Sequence, residues 1–217
     1  MACPLCDIHG GTDTVEIYLS GLAILISGVT AWLTLLKPGS VKMTRPTVIF
    51  FGPDGSRGPA KVFLRTLLYC TSRRGRIIQG MFVRLRRGES AQNFNVWVYG
   101  DDSLKRGSGL YVGQDGVVCN HHFLLPRDGT QYEFLGGRYV IEVFAELVNA
   151  RRPVKLAEEA IDLSQDFASR INKQDSGVYY DWGPDSQTYH ANLDCNPVAE
   201  INYKIKKQMK VTQKDVR

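Results

Sequence analysis

The chain has 217 residues, 43% hydrophobic and 23% charged, with a formal net charge of +5. That balance excludes wholesale disorder and a strongly polyelectrolyte protein. Past its N-terminal region the chain is long enough for one domain with a real core and short for two.

Residues 1–16 hold a C-x-x-C pair, Cys3 and Cys6, followed by His9. A structural zinc site wants four ligands and this stretch offers three, so we read a short disordered tail. Residues 17–36, IYLSGLAILISGVTAWLTLL, open at Ile17, close at Leu36 and carry no charge. Twenty helical residues at about 1.5 Å each match a bilayer's hydrocarbon core of roughly 30 Å. The run is too long for a signal-peptide core and lacks a basic start and an A-x-A-like exit. A buried core helix would show a polar face and a shorter run. The reading is therefore a single transmembrane helix.

The leader carries Asp7, Asp13 and Glu16 without a Lys or Arg, whereas Lys37, Lys42, Arg45 and Arg57 follow the span against Asp54 alone. Basic flanks stay cytoplasmic, which places the N-terminus outside the cell (inner) membrane and the bulk of the chain in the cytoplasm. Gly21 and Gly28 are seven apart, and Ala23, Ser27 and Ala31 four apart. This spacing lets two spans approach closely, so homo-oligomerisation through the span is one expectation.

Residues 37–46 read as a linker. From 47 the pattern turns to period 2, and strands are predicted over 47–51, 61–71, 77–86, 93–99, 109–112, 117–125, 132–135 and 139–148. In the second of these, Val62, Leu64, Thr66, Leu68 and Cys70 share one face. Asp115-Gly116 between alternating runs predicts a hairpin. Residues 153–163 fit either strand or helix, and we favour a strand to about 162, then a short helix capped by Asp162 or Ser164. The aromatic stretch 179–184 is expected to pack back onto the domain, which we bound at 47–200. Residues 201–217 form a basic tail. Strands joined by Gly-rich turns without intervening helices predict an all-β antiparallel sandwich, with a small barrel as the alternative. Gly137, Arg138 and Tyr139 with the run that follows resemble the late core strand of Ig-like domains. That resemblance implies an Ig-like sandwich.

The segment GSGLYVGQDGVVCNHH over 107–122 resembles trypsin-like serine proteases of the high-temperature-requirement type. The resemblance puts His122 in the general-base position and implies a hydrolase. The nucleophile motif is missing, its nearest text being Asp175, Ser176 and Gly177, and a triad needs all its members. His121 and His122 are adjacent on a strand and point to opposite faces, so they do not chelate one ion.

From 57 to 87 there are nine Lys or Arg and no Asp or Glu, with Phe63, Tyr69 and Phe82 interleaved. Arg73, Arg74, Arg76, Arg84, Arg86 and Arg87 are candidates for contact with anionic lipid. The same block could bind nucleic acid, although no RNP-like or helix-turn-helix pattern accompanies it. No P-loop, dinucleotide-binding glycine motif or H-E-x-x-H occurs, so no cofactor is expected. The function read from the sequence is a non-catalytic binding or scaffold module on a membrane, with the lipid bilayer and an unknown protein as partners. The alternatives are the His122 hydrolase and a membrane-tethered nucleic-acid binder.

Overall fold

The computed structural model describes residues 10–36, 39–55, 58–100, 105–107, 109–126, 131–174 and 176–194. Cys3, Cys6, His9, Arg57, Asp175 and the basic tail lie outside the described residues.

Helix α1 runs Gly10–Ala31 and passes into a π-helical turn, Trp32–Leu36. Its start at Gly10 falls inside the stretch expected to be a tail. Across α1 and the π-helical turn, residues Val15–Thr34 have a mean hydropathy of 1.7 and none of them is buried by the rest of the chain. This is one helix long and apolar enough to cross a membrane. Thr30 and Thr34 return their hydroxyls to the carbonyls of Ile26 and Thr30, at 2.7 Å in each case, so neither leaves a polar group unpaired.

Two antiparallel sheets follow. The larger is built from β1 (Val41–Met43), β2 (Val48–Pro53), β3 (Ala60–Cys70), β6 (Val96–Tyr99), β7 (Lys105–Arg106), β9 (Val117–Leu124), β12 (Gly177–Gly183) and β13 (Thr188–Asp194). Its order is β13-β12-β2-β3-β9-β6-β7, with β1 extending the β2 side of β3. The smaller contains β4 (Arg76–Arg87), β5 (Ser90–Phe94), β8 (Leu110–Val112), β10 (Gly137–Leu147) and β11 (Val154–Leu163), in the order β11-β10-β4-β5, with β8 also pairing β4. No closed barrel forms, so the all-β sandwich expectation holds and its barrel alternative does not.

The alternation in β3 is the one its sequence predicts. Val62, Leu64, Thr66, Leu68 and Cys70 are buried between the sheets, while Arg65 and Tyr69 face out. From the smaller sheet, Met81, Val83, Leu85, Tyr139, Ile141 and Val143 fill the other side of the core. Phe51 ties the layers together, with its ring stacked on Phe134 at 5.1 Å and edge-on to Tyr139 at 5.5 Å.

Four local expectations are corrected. Residues 93–99 are not one strand: Phe94 and Trp97 are both buried, so the phase breaks at Asn95, where the chain leaves the smaller sheet and enters the larger. The Asp115-Gly116 turn does not close a hairpin, because β8 pairs with β4 and β9 with β3 and β6, in different sheets. Residues 131–135 form no strand. The backbone of Phe134 is satisfied instead by Asn172, whose Oδ1 accepts from its N–H at 3.2 Å and whose Nδ2 donates to its carbonyl at 2.9 Å. Val41–Met43, expected within a linker, forms a strand against Leu68–Cys70.

Residues 153–174 resolve into β11 and then α2 (Gln165–Gln174). Ser164 is the cap, its hydroxyl accepting the Phe167 N–H at 3.1 Å. The aromatic stretch after α2 is β12, and with β13 it adds a hairpin to the edge of the larger sheet.

Candidate functional site

His121 and His122 are neighbours on β9 and enter different environments, as strand geometry requires. His121 faces the core beside Trp97, is fully buried, and accepts the indole N–H at Nδ1 across 3.1 Å. Its proton therefore sits on Nε2, which has no hydrogen-bond partner among the described residues. His122 faces outward and packs on Phe63, ring centroids 4.8 Å apart. Burial first, and then the neighbouring His122, lower the pKa of His121 to about 4. Burial first, and then the Lys61 ammonium, bring His122 to about 4 as well. Both imidazoles are neutral at neutral pH.

His122 belongs to a row on the outer face of the larger sheet. The register places Tyr179 opposite Phe50, Phe50 opposite Phe63, Phe63 opposite His122 and His122 opposite Val98. Ser176 and Gly177 do not meet His122. Strands β12 and β9 are separated by β2 and β3, three spacings or about 14 Å. Gly177 lies directly against the Phe50 ring, and Gly52 approaches the same ring from its own strand. The text nearest to a nucleophile motif is thus a seat for an aromatic side chain.

The basic block is divided. Strand β4 carries Arg76 at one end and Arg87 at the other. At about 3.3 Å per residue, Arg84 is about 26 Å and Arg87 about 36 Å from Arg76. Arg86 is held by Glu142 at 3.3 Å, and the Arg84 guanidinium lies over the Phe144 ring at 5.2 Å while its Nε donates to Asn93. These residues form a paired network on the outer face of the smaller sheet. Lys155 joins it through Glu158 at 2.7 Å and Glu142 at 3.4 Å, and the bond to Glu158 is the main reason its pKa is raised.

Arg73, Arg74 and Arg76 sit at the other end, where the chain arrives from the helix. Gly39 donates its N–H to Ser72 Oγ at 3.1 Å, Ser40 and Thr71 exchange bonds at 2.9 and 3.0 Å, and Arg76 Nε donates to the Gly39 carbonyl at 2.9 Å. Leu36 and Gly39 are three Cα steps apart, so the helix end lies within about 11 Å of this turn.

A groove of about 520 Å³ opens between β11 and β13, which are edge strands among the described residues. Arg45 reaches across it. Its Nε is 3.0 Å from Glu159 Oε1, and its guanidinium lies 4.1 Å over the Trp182 ring. Tyr180 and Tyr189 complete the wall. Arginine, tryptophan and tyrosine are the residues enriched in protein interfaces. The sequence reading passed over this groove because its members come from three separated parts of the chain, Arg45, β11 and the β12–β13 hairpin.

Among the described residues no group of three or more His, Cys, Asp and Glu gathers as a metal site would. Cys70 is buried and Cys119 half-buried. Comparison with protein-family models, curated proteins and solved structures finds no match for this chain.

Proposed function

We propose that the protein is a single-pass, membrane-anchored β-sandwich that acts as a non-catalytic binding or scaffold module, with its N-terminus outside the cell (inner) membrane and its domain in the cytoplasm. One observation carries the reading. No residue of the apolar stretch Val15–Thr34 is buried by the sandwich, although residues 37–40 are all that separates the helical segment from β1. An uncovered apolar stretch of that length is stable in lipid and costly in water. Tyr18 and Trp32, both exposed, sit near its two ends, where interfacial aromatics belong.

Binding falls to the groove between β11 and β13. Two strand edges without a partner among the described residues flank it, and an extended peptide can add to either through its main chain. The Ig-like reading draws support from Tyr139. Its hydroxyl accepts from the Leu135 N–H at 2.9 Å and donates to the Leu135 carbonyl at 2.7 Å. Ig-type sandwiches tie a tyrosine at the start of a late strand to backbone just upstream in this way.

The test uses a C-terminal tag in intact and permeabilised cells, with the protein followed into the membrane fraction. Protection until permeabilisation is expected. Access in intact cells would reverse the orientation, and a soluble full-length protein would remove the anchor. For the groove, Trp182→Ala should abolish co-purification of a partner that wild-type protein retains.

A further inference from the structure

The end of the sandwich that receives the helix carries a second basic turn, which lies far from the first in sequence. Strand β4 leaves the Arg73–Arg74 turn and pairs with β10, and the Val148 N–H donates to the Ile77 carbonyl at 3.0 Å. The β10–β11 turn is thereby fixed beside the β3–β4 turn. It carries Arg151 and Arg152. Strand β8 brings in Tyr111 opposite Ile77, and the Tyr111 hydroxyl donates to the Arg74 carbonyl at 3.4 Å.

Three properties of this end are unusual together. Arg73, Arg74, Arg151 and Arg152 are exposed, and none forms an ion pair among the described residues. Ile77 and Tyr111, exposed at 47% and 57%, lie beside the Arg73–Arg74 turn, Ile77 on β4 next to the β10–β11 turn and Tyr111 on β8 across β4 from it. The end also adjoins the helix exit through the Gly39 and Ser40 bonds described above. The opposite end carries both signs, with Lys61 paired to Asp54, Arg170 to Asp166, and Glu89 and Glu133 exposed.

Unpaired guanidinium groups around apolar side chains match the chemistry of an anionic bilayer surface. Arginine binds phosphate in a bidentate fork, and aliphatic and tyrosyl groups settle at headgroup depth. Resting on the membrane-anchor reading, we propose that the 71–77 and 148–153 turns form one composite surface for anionic lipid headgroups, which seats the domain end-on against the leaflet from which its own helix emerges. The groove between β11 and β13 then runs up from the membrane and stays open to a partner. Arg84, Arg86 and Arg87, about 26–36 Å along β4, take no part, since salt screens charge beyond about 10 Å.

The full chain is reconstituted into nanodiscs of phosphatidylcholine alone and of phosphatidylcholine with 30% phosphatidylglycerol, and amide hydrogen exchange is followed. A basic residue near an anionic surface contributes about fivefold in occupancy, so each arginine pair is worth roughly 25-fold. The expected result is at least tenfold slower exchange across both turns in the anionic discs. The difference should be lost in 0.5 M salt and in Arg151→Ala/Arg152→Ala, and unchanged in Arg86→Ala. Equal exchange in the two discs overturns the proposal. So does protection of 71–77 that is indifferent to Arg151→Ala/Arg152→Ala, because the turns would not then act as one surface. Retardation of single-stranded RNA that depends on the same arginines, without a difference between discs, assigns the face to nucleic acid and also overturns it. Flotation of the full chain in carbonate at high pH reads the anchor separately. A chain that fails to float overturns the anchor and the seat together, whereas one that floats with equal exchange overturns the seat alone.

Discussion

Trp97 donates its indole N–H to His121 Nδ1 across 3.1 Å in the middle of the core. The bond fixes the imidazole as the Nε2–H tautomer and leaves the ring no group to share a second proton with. A charged His121 would face Trp97, Phe123 and the half-buried Tyr99, with His122 as the neighbouring titratable group.

Stability should therefore fall on the acid side. The pKa of His121 drops from 6.5 to about 4 on folding. Below 6.5 the unfolded chain takes up a proton that the folded chain refuses until about 4. Stability is full above 6.5 and declines through that window, by on the order of 2 kcal/mol between pH 7 and 5 for this residue. Denaturant unfolding at the two pH values measures the slope. His121→Gln keeps an acceptor for Trp97 and removes its own titration, so it should lower the slope by about 2 kcal/mol over this window while His122, also brought to about 4, keeps its share. An unchanged slope would place the acid sensitivity elsewhere.

Gly177 predicts a packing defect. A methyl group there meets the ring of Phe50, which already packs on Tyr179 at 4.7 Å. Gly177→Ala should cost about 1–3 kcal/mol through overpacking. Phe50→Leu removes the obstructing ring edge, so a double-mutant cycle should show a coupling of about 1 kcal/mol or more. Additive effects would mean that Gly177 answers to some other neighbour.

Tyr139→Phe removes one oxygen and leaves two backbone groups of Leu135 without their partner. The expected loss is about 2 kcal/mol, read from the denaturant midpoint, with secondary structure retained. A loss below about 0.5 kcal/mol would show that water replaces the hydroxyl at this corner.

Much of this architecture was legible because its signals are local. Period-2 alternation in β3 and the Met81–Val83–Leu85 row of β4 marked the buried faces, and the helix start was narrowed to Asp162 or Ser164, of which Ser164 is the cap. What the sequence hid was which sheet each strand joins. Asn95 and the 113–116 turn both carry the chain between layers, and no residue pattern distinguishes such a crossing from a kink or a hairpin. The same blindness covers the candidate surfaces. The basic block looked continuous because its residues are consecutive, yet one strand separates its ends by about 36 Å. Arg151 and Arg152 looked unrelated to it until the Val148–Ile77 bond joined the turns.

Asn172 gives the most discriminating test of how the irregular segment 131–135 is held. Its amide replaces a neighbouring strand, donating to the Phe134 carbonyl and accepting from the Phe134 N–H. Asn172→Ala removes both bonds and should cost about 2 kcal/mol. Asn172→Asp keeps the shape but turns the donor into a second acceptor, setting a carboxylate oxygen against the carbonyl. At pH 7 it should be at least as destabilising as alanine despite its better fit. Protonation of that carboxyl restores a donor, so its deficit relative to wild type should shrink as the pH falls towards 4, while that of the alanine variant stays constant. Parallel pH profiles for the two variants would show that solvent, rather than this side chain, satisfies Phe134.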